Sequence, residues 1–192
     1  MINNIPFSFK LIFISLIFTL GAYIKPDLYM FGLNHSFIDN GNYLVYSIQL
    51  FTSVFLHGDL IHFLFNSIFI YIFGTSLELL IGKKKFIIFF IFIVLFNGIL
   101  LTYFTNSSVN TIGMSGFGMA IISYYVLELK SRNNNEYKGG ITAIIINLLV
   151  GFMPGISLLG HLFGVIGGVI YYYYNKEFFK PKFVGKIKNS EL

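Results

Sequence analysis

Long apolar runs separated by short polar segments fill most of this chain. A membrane-spanning helix needs roughly 20 mostly apolar residues. Six stretches approach that length: 7–24, 60–81, 86–104, 114–129, 140–153 and 158–174. None shows the strict alternation of barrel strands, and backbone polar groups in lipid must be satisfied internally, so helices are expected. The fifth stretch is short and ends near Pro154, which predicts a tilted, mobile or partly inserted helix. Residues 25–59 form one long connection rich in Gly, Asn, Asp and aromatic residues. Its apolar piece, 44–56, is too short to span and fits a re-entrant or surface-lying segment. The expected fold class is an all-α membrane protein: a bundle of six transmembrane helices with a long, partly membrane-embedded loop between the first two.

Composition agrees with lipid as the solvent. Hydrophobic residues make up 56% of the chain and charged residues 11%, against about 25% charged in soluble domains. With 192 residues, a single integral membrane domain over 1–192 is expected. The net charge of +5 does not indicate nucleic acid, because the basic residues lie in short runs between apolar stretches and form no soluble basic face. The chain has no cysteine, so thiolate chemistry, disulfides and cysteine metal sites are excluded. No small-residue cleavage site follows 7–24, only Ile24-Lys25-Pro26, so this segment is expected to stay as an anchor.

The basic residues also set an orientation. With the N-terminus inside, Lys10, Lys83 to Lys85, Lys130, Arg132, Lys138 and the lysines of the tail 176–192 fall on the inner side. Lys25 alone falls outside. Both termini are then cytoplasmic and the location expected is the cell membrane. In that orientation the second, fourth and sixth apolar stretches run inward. At a rise of 1.5 Å per residue, His62, Ser115 and His161 lie within roughly 5 Å of one another in depth, just below the outer surface.

That shared level suggests hydrolytic chemistry. Peptide hydrolysis by serine needs a nucleophile, a base and donors aimed at the oxyanion. Ser115 supplies a hydroxyl and His161 a base. His62 and Asn66, four apart, project from one helix face and can donate to the oxyanion together with the Ser115 N–H. No carboxylate lies at this depth in the last three stretches, which favours a Ser–His dyad over a triad. Gly164 and Gly168 share a helix face with His161 in a small-xxx-small pattern, and Gly116 and Gly118 thin the start of the fourth helix. No metal or cofactor is called for.

The order of these residues is similar to the signature of the rhomboid intramembrane serine proteases. The similarity is carried by His57-Gly58-Asp59-Leu60-Ile61-His62-Phe63-Leu64-Phe65-Asn66, by Gly113-Met114-Ser115-Gly116, and by His161 with Gly164 and Gly168. Gly74, Glu78 and Gly82 fit as well, and the resemblance covers about 50–175. It implies an endopeptidase that cuts transmembrane segments of single-span membrane proteins near the outer face of the bilayer, through an acyl-enzyme. In that family the serine matching Ser115 is the nucleophile and the histidine matching His161 the base. The positions of His62 and Asn66 help form the oxyanion hole, and that of His57 is structural. The long loop after the first helix lies partly in the outer leaflet, and the fifth helix with its cap loop admits substrate. This chain departs in having Ile48-Gln49 where the family often has Trp-Arg, which concerns the anchoring of the long loop. It also has Met119 where some members stack an aromatic ring on the histidine; Phe117 could replace that ring only from a distorted helix start.

Each residue also has a plainer reading. Ser115 alone is more often a helix cap or packing residue, and His161 alone could bond a loop carbonyl. His57 and His62, five apart, do not share a helix face as metal ligands would. Asp59 is placed to cap the second helix, Glu78 to pair with Lys83 to Lys85, and the basic tail to touch anionic lipid or solvent. Two other functions fit parts of the pattern: an inactive relative that binds membrane proteins without cutting them, and a small transporter using intramembrane histidines. The first typically lacks the serine or the histidine. The second needs polar residues along a path, whereas here they cluster at one level.

Overall fold

Helix α1 (Phe7–Ile24) opens the computed structural model, which describes residues 5–106 and 109–178. The long connection contains a 3-10 turn at Pro26–Phe31, the single turn α2 (Ser36–Asp39) and α3 (Tyr43–Thr52). Next, α4 (Leu60–Phe69), a π-helical turn at Ile70–Gly74 and α5 (Thr75–Ile81) form one continuous rod. Then come α6 (Lys83–Phe104), α7 (Ser115–Ser131), α8 (Tyr137–Val150) and α9 (Leu158–Phe178). All six apolar stretches are therefore helical. Among the described residues there is no strand, only an isolated antiparallel bridge between Leu33 and Thr111. The part of the basic tail beyond Phe178 lies outside the described residues.

Local chemistry sets the boundaries. The Asp59 carboxylate accepts from the His62 N–H at 2.7 Å, capping α4 as its position before an apolar run predicts. Gly82, at φ +85°, ends α5 in a conformation that favours glycine and turns the chain into α6.

Three helices are long and apolar enough to cross a bilayer: Phe7–Ile24, Leu60–Ile81 and Lys83–Phe104. Their outer faces carry exposed Phe13, Ile17, Leu64, Phe65 and Ile88, the arrangement of a multi-pass membrane protein. At 17 residues α7 is shorter, and it is the central helix. Gly116 to Tyr124 are all buried in it, enclosed by α9, α8, α6 and the α4–α5 rod. Phe86, Phe89, Phe90 and Phe117 meet edge to face or tilted beneath its first turn, with ring centroids 5.0 to 6.4 Å apart.

Two polar residues differ from what the sequence suggests. Glu78 does not pair with Lys83 to Lys85. Its carboxyl group is buried and accepts from Phe7 N (2.7 Å), Ser8 N (2.9 Å) and Ser8 Oγ (2.6 Å). It thus caps α1 from a neighbouring helix, because the first N–H groups of a helix have no partner of their own. Gln49 anchors the long loop. It is fully buried, donates to Met30 O at 2.6 Å and accepts from Asn34 N at 3.3 Å.

Candidate active site

Ser115 is the first residue of α7, so its N–H is one of the helix's orphan donors. The turn leading into it is held from two sides. Gly113 N donates to Ser53 O at 3.0 Å, and Met114 N donates to Nε2 of His57 at 3.4 Å. Gly113 sits at φ +112°, which favours glycine. Burial, then the neighbouring His62, hold the His57 ring well below its ordinary pKa, at about 3. The ring is therefore neutral, as an Nε2 acceptor must be, and its Nδ1 lies 3.2 Å from Thr19 Oγ1 on α1. His57 thus ties α1 to the serine turn.

His62 and Asn66 come from the first two turns of α4. A Cβ added to Gly113 would lie 2.9 Å from Cε1 and 3.0 Å from Nε2 of His62, so the imidazole rests directly on the residue two before Ser115. His57 and His62 meet edge to face with centroids 5.0 Å apart. The Asn66 amide donates one N–H to His62 O at 3.0 Å and retains a second donor. Asn66, His57, Ser67 and Met114 line a narrow crevice beside the serine turn.

His161 enters from α9, whose start is capped by Ser157: Gly160 N donates to Ser157 Oγ at 3.0 Å. The α7–α9 seam is built from small residues. A Cβ on Gly164 would touch Gly116 O and lie 3.0 Å from Gly116 C, while one on Gly116 would lie 3.1 Å from Gly160 O. One turn deeper, a Cβ on Gly168 would strike Ala120 O and Ser123 Oγ. The backbones flanking Ser115 and His161 are therefore in direct contact. The two side chains are not hydrogen-bonded to one another. His161 is buried, and its Nδ1 is 2.8 Å from Asn147 O on α8. Among the described residues no aromatic ring stacks on His161. Phe117 faces Phe86, Phe89 and Phe90 instead.

Two amides near the site carry no role in the sequence reading. Asn97, on α6, donates to Gly160 O at 3.2 Å and lies against Gly116. It lines a small crevice behind the serine turn, together with Ser53, Gly113 and Gly116. Asn147 supplies the carbonyl that His161 meets. An amide inside an apolar run is the signal that could have found Asn97, whereas Asn147 contributes only its main chain. Among the described residues no group of three or more His, Cys, Asp or Glu could hold a metal ion.

The Rhomboid domain family profile matches residues 46–177. A rhomboid protein of Acanthamoeba polyphaga mimivirus is 33% identical over 128 residues, covering 65% of this chain and 72% of that protein. A Bacillus subtilis protein that carries the name of a rhomboid protease is 30% identical over 128 residues, covering 64% of each. A rhomboid-like protease of Toxoplasma gondii is 29% identical over 138 residues, covering 67% of this chain and 52% of that one. The alignments thus span between about half and three quarters of these relatives' length.

Proposed function

The chain belongs to the rhomboid family, and from that membership we propose that it is an intramembrane serine endopeptidase acting through Ser115 and His161. The observation that carries the reading is the small-residue seam between α7 and α9, which brings Gly116 against Gly160 and Gly164. Ser115 Oγ attacks the scissile carbonyl as Nε2 of His161 takes its proton. The oxyanion is met by the Ser115 N–H, by the free N–H of Asn66 and by His62, while His57 holds the turn. The protonated His161 then delivers its proton to the leaving amine, and water hydrolyses the acyl-enzyme through the same base. The serine–histidine bond is expected to close as substrate binds, since catalytic hydrogen bonds are often long before then.

Substrates are single-span membrane proteins, cut near the outer face of the bilayer. The chain crosses the cell membrane six times as one domain over 1–192, with both termini cytoplasmic. The relative named as a rhomboid protease supports the activity. The test is cleavage of a single-span substrate by purified protein in lipid vesicles. Wild type is expected to cut, with Ser115→Ala and His161→Ala both inactive; undiminished cleavage by either variant defeats the assignment.

A further inference from the structure

The His161 ring meets a backbone carbonyl, and that has a chemical consequence. A carbonyl oxygen can only accept, so at 2.8 Å from Asn147 O the Nδ1 atom must carry the proton. In a neutral imidazole the other nitrogen, Nε2, then bears a lone pair. That is the tautomer a base toward Ser115 needs, and the one in which a buried Asp would hold the ring in a triad.

The position of this carbonyl is set by how α8 docks. Among the described residues α8 buries no side chain, and Ile141, Ile145, Ile146 and Leu149 are exposed. Two glycines allow its close approaches. At the inner end a Cβ on Gly140 would strike Val126 of α7. At the outer end a Cβ on Gly151 would lie 2.9 Å from Leu158 Cα and 3.0 Å from Leu148 O. Gly151 N also donates to the Asn147 carbonyl, at 3.0 Å. The outer junction therefore fixes both the acceptor and its distance from the ring. The Asn147 side chain points away and donates to Ala143 O at 2.8 Å, so the recognising group is the main chain.

We propose that the Asn147 carbonyl, held against α9 by Gly151, is the positioning group that sets the tautomer and orientation of His161. The inference rests on the proteolytic reading and adds the partner for the base. The outer end of α8 thereby positions the base although none of its side chains enters the site. Displacing its outer end removes the acceptor from Nδ1 and frees the ring to take the opposite tautomer.

The test uses the full chain in lipid vesicles with ring-¹⁵N histidine, His161→Ala assigning the signal, alongside cleavage kinetics. Wild type should show His161 protonated on Nδ1 and bare on Nε2. Gly151→Ala should populate both tautomers and lower kcat about tenfold or more with KM little changed, as loss of the orienting partner does in a triad. Ile145→Ala, at an exposed position of the same helix, should leave the spectrum and kcat as in wild type, which separates positioning from a general change in α8. If Gly151→Ala fails to fold, replacing Leu148 by its α-hydroxy acid weakens the same carbonyl as an acceptor without adding bulk, and the same changes are expected. A cleaving wild type with His161 protonated on Nε2 overturns the inference. So does unchanged kcat in a variant whose Nδ1 signature is lost. A wild type that does not cleave defeats the proteolytic reading itself, while the ring signal still reports whether the hydrogen bond exists.

Discussion

Gly113 shows how tightly single positions are determined around the serine. Its φ of +112° and the His62 ring at 2.9 Å from a would-be Cβ are independent reasons for glycine. Gly113→Ala should therefore strain the turn by about 1–3 kcal/mol and push His62 from the site. The expected outcome is folded protein with a lower melting temperature and strongly reduced cleavage of a model substrate; wild-type turnover would contradict this placement of His62. The candidate site residues could be picked out of the sequence because chemistry-bearing side chains are rare in apolar runs. Ser115, His62, Asn66 and His161 stand out for that reason, and Asp59 as a cap was readable from its place before such a run. The role of Asn147 was not legible, because its contribution is a carbonyl oxygen that every residue possesses. Glu78 was misread for a related reason. Charge pairing pointed to nearby lysines, but the uncapped N–H groups of α1 are the partners tertiary packing brings to it.

Among elements, the α7–α9 seam is the one on which the site depends. Glycines at 116, 164 and 168 let two backbones touch, and the intervals that suggested a shared face in the sequence are the intervals that pack. Gly164→Leu should drive its side chain into Gly116, with overpacking of about 1–3 kcal/mol. A shift of about 1 Å between serine and histidine can cost about 100-fold in rate. Cleavage should fall by about that factor while helix content by circular dichroism is retained; unimpaired cleavage would show that the seam does not set the distance. Helix positions were readable from hydrophobic runs because lipid demands them. The anchoring of the long loop was not, since Gln49 acts by burying its amide against main-chain groups of Met30 and Asn34, earlier in the same connection.

At the scale of the whole molecule, the central helix is the least lipid-like in sequence and the most enclosed in space. Small and polar residues, Gly116, Gly118 and Ser123, accompany its burial, and flanking helices turn Phe, Ile and Leu outward. The orientation drawn from the basic residues makes a direct prediction. The chain has no cysteine, so single cysteines report accessibility without background. In intact cells a membrane-impermeant maleimide should label Asn40→Cys in the long connection. It should label Asn134→Cys, between α7 and α8, only after permeabilisation, and the reverse pattern would invert the topology. Six helices, the short α7 and α8 among them, were readable as apolar lengths, while the enclosure of α7 by its neighbours reflects packing that a run of hydrophobic letters does not encode.

The claim beneath all of this is that a hydroxyl at the start of α7 is made nucleophilic by an imidazole on α9. Labelling with a fluorophosphonate, read by peptide mass spectrometry, tests it without knowing a substrate. The account predicts a phosphonylated Ser115 in wild type, no adduct in Ser115→Ala, and a sharp loss of labelling in His161→Ala. An unreactive Ser115 in folded wild type, or labelling indifferent to removal of His161, would contradict it.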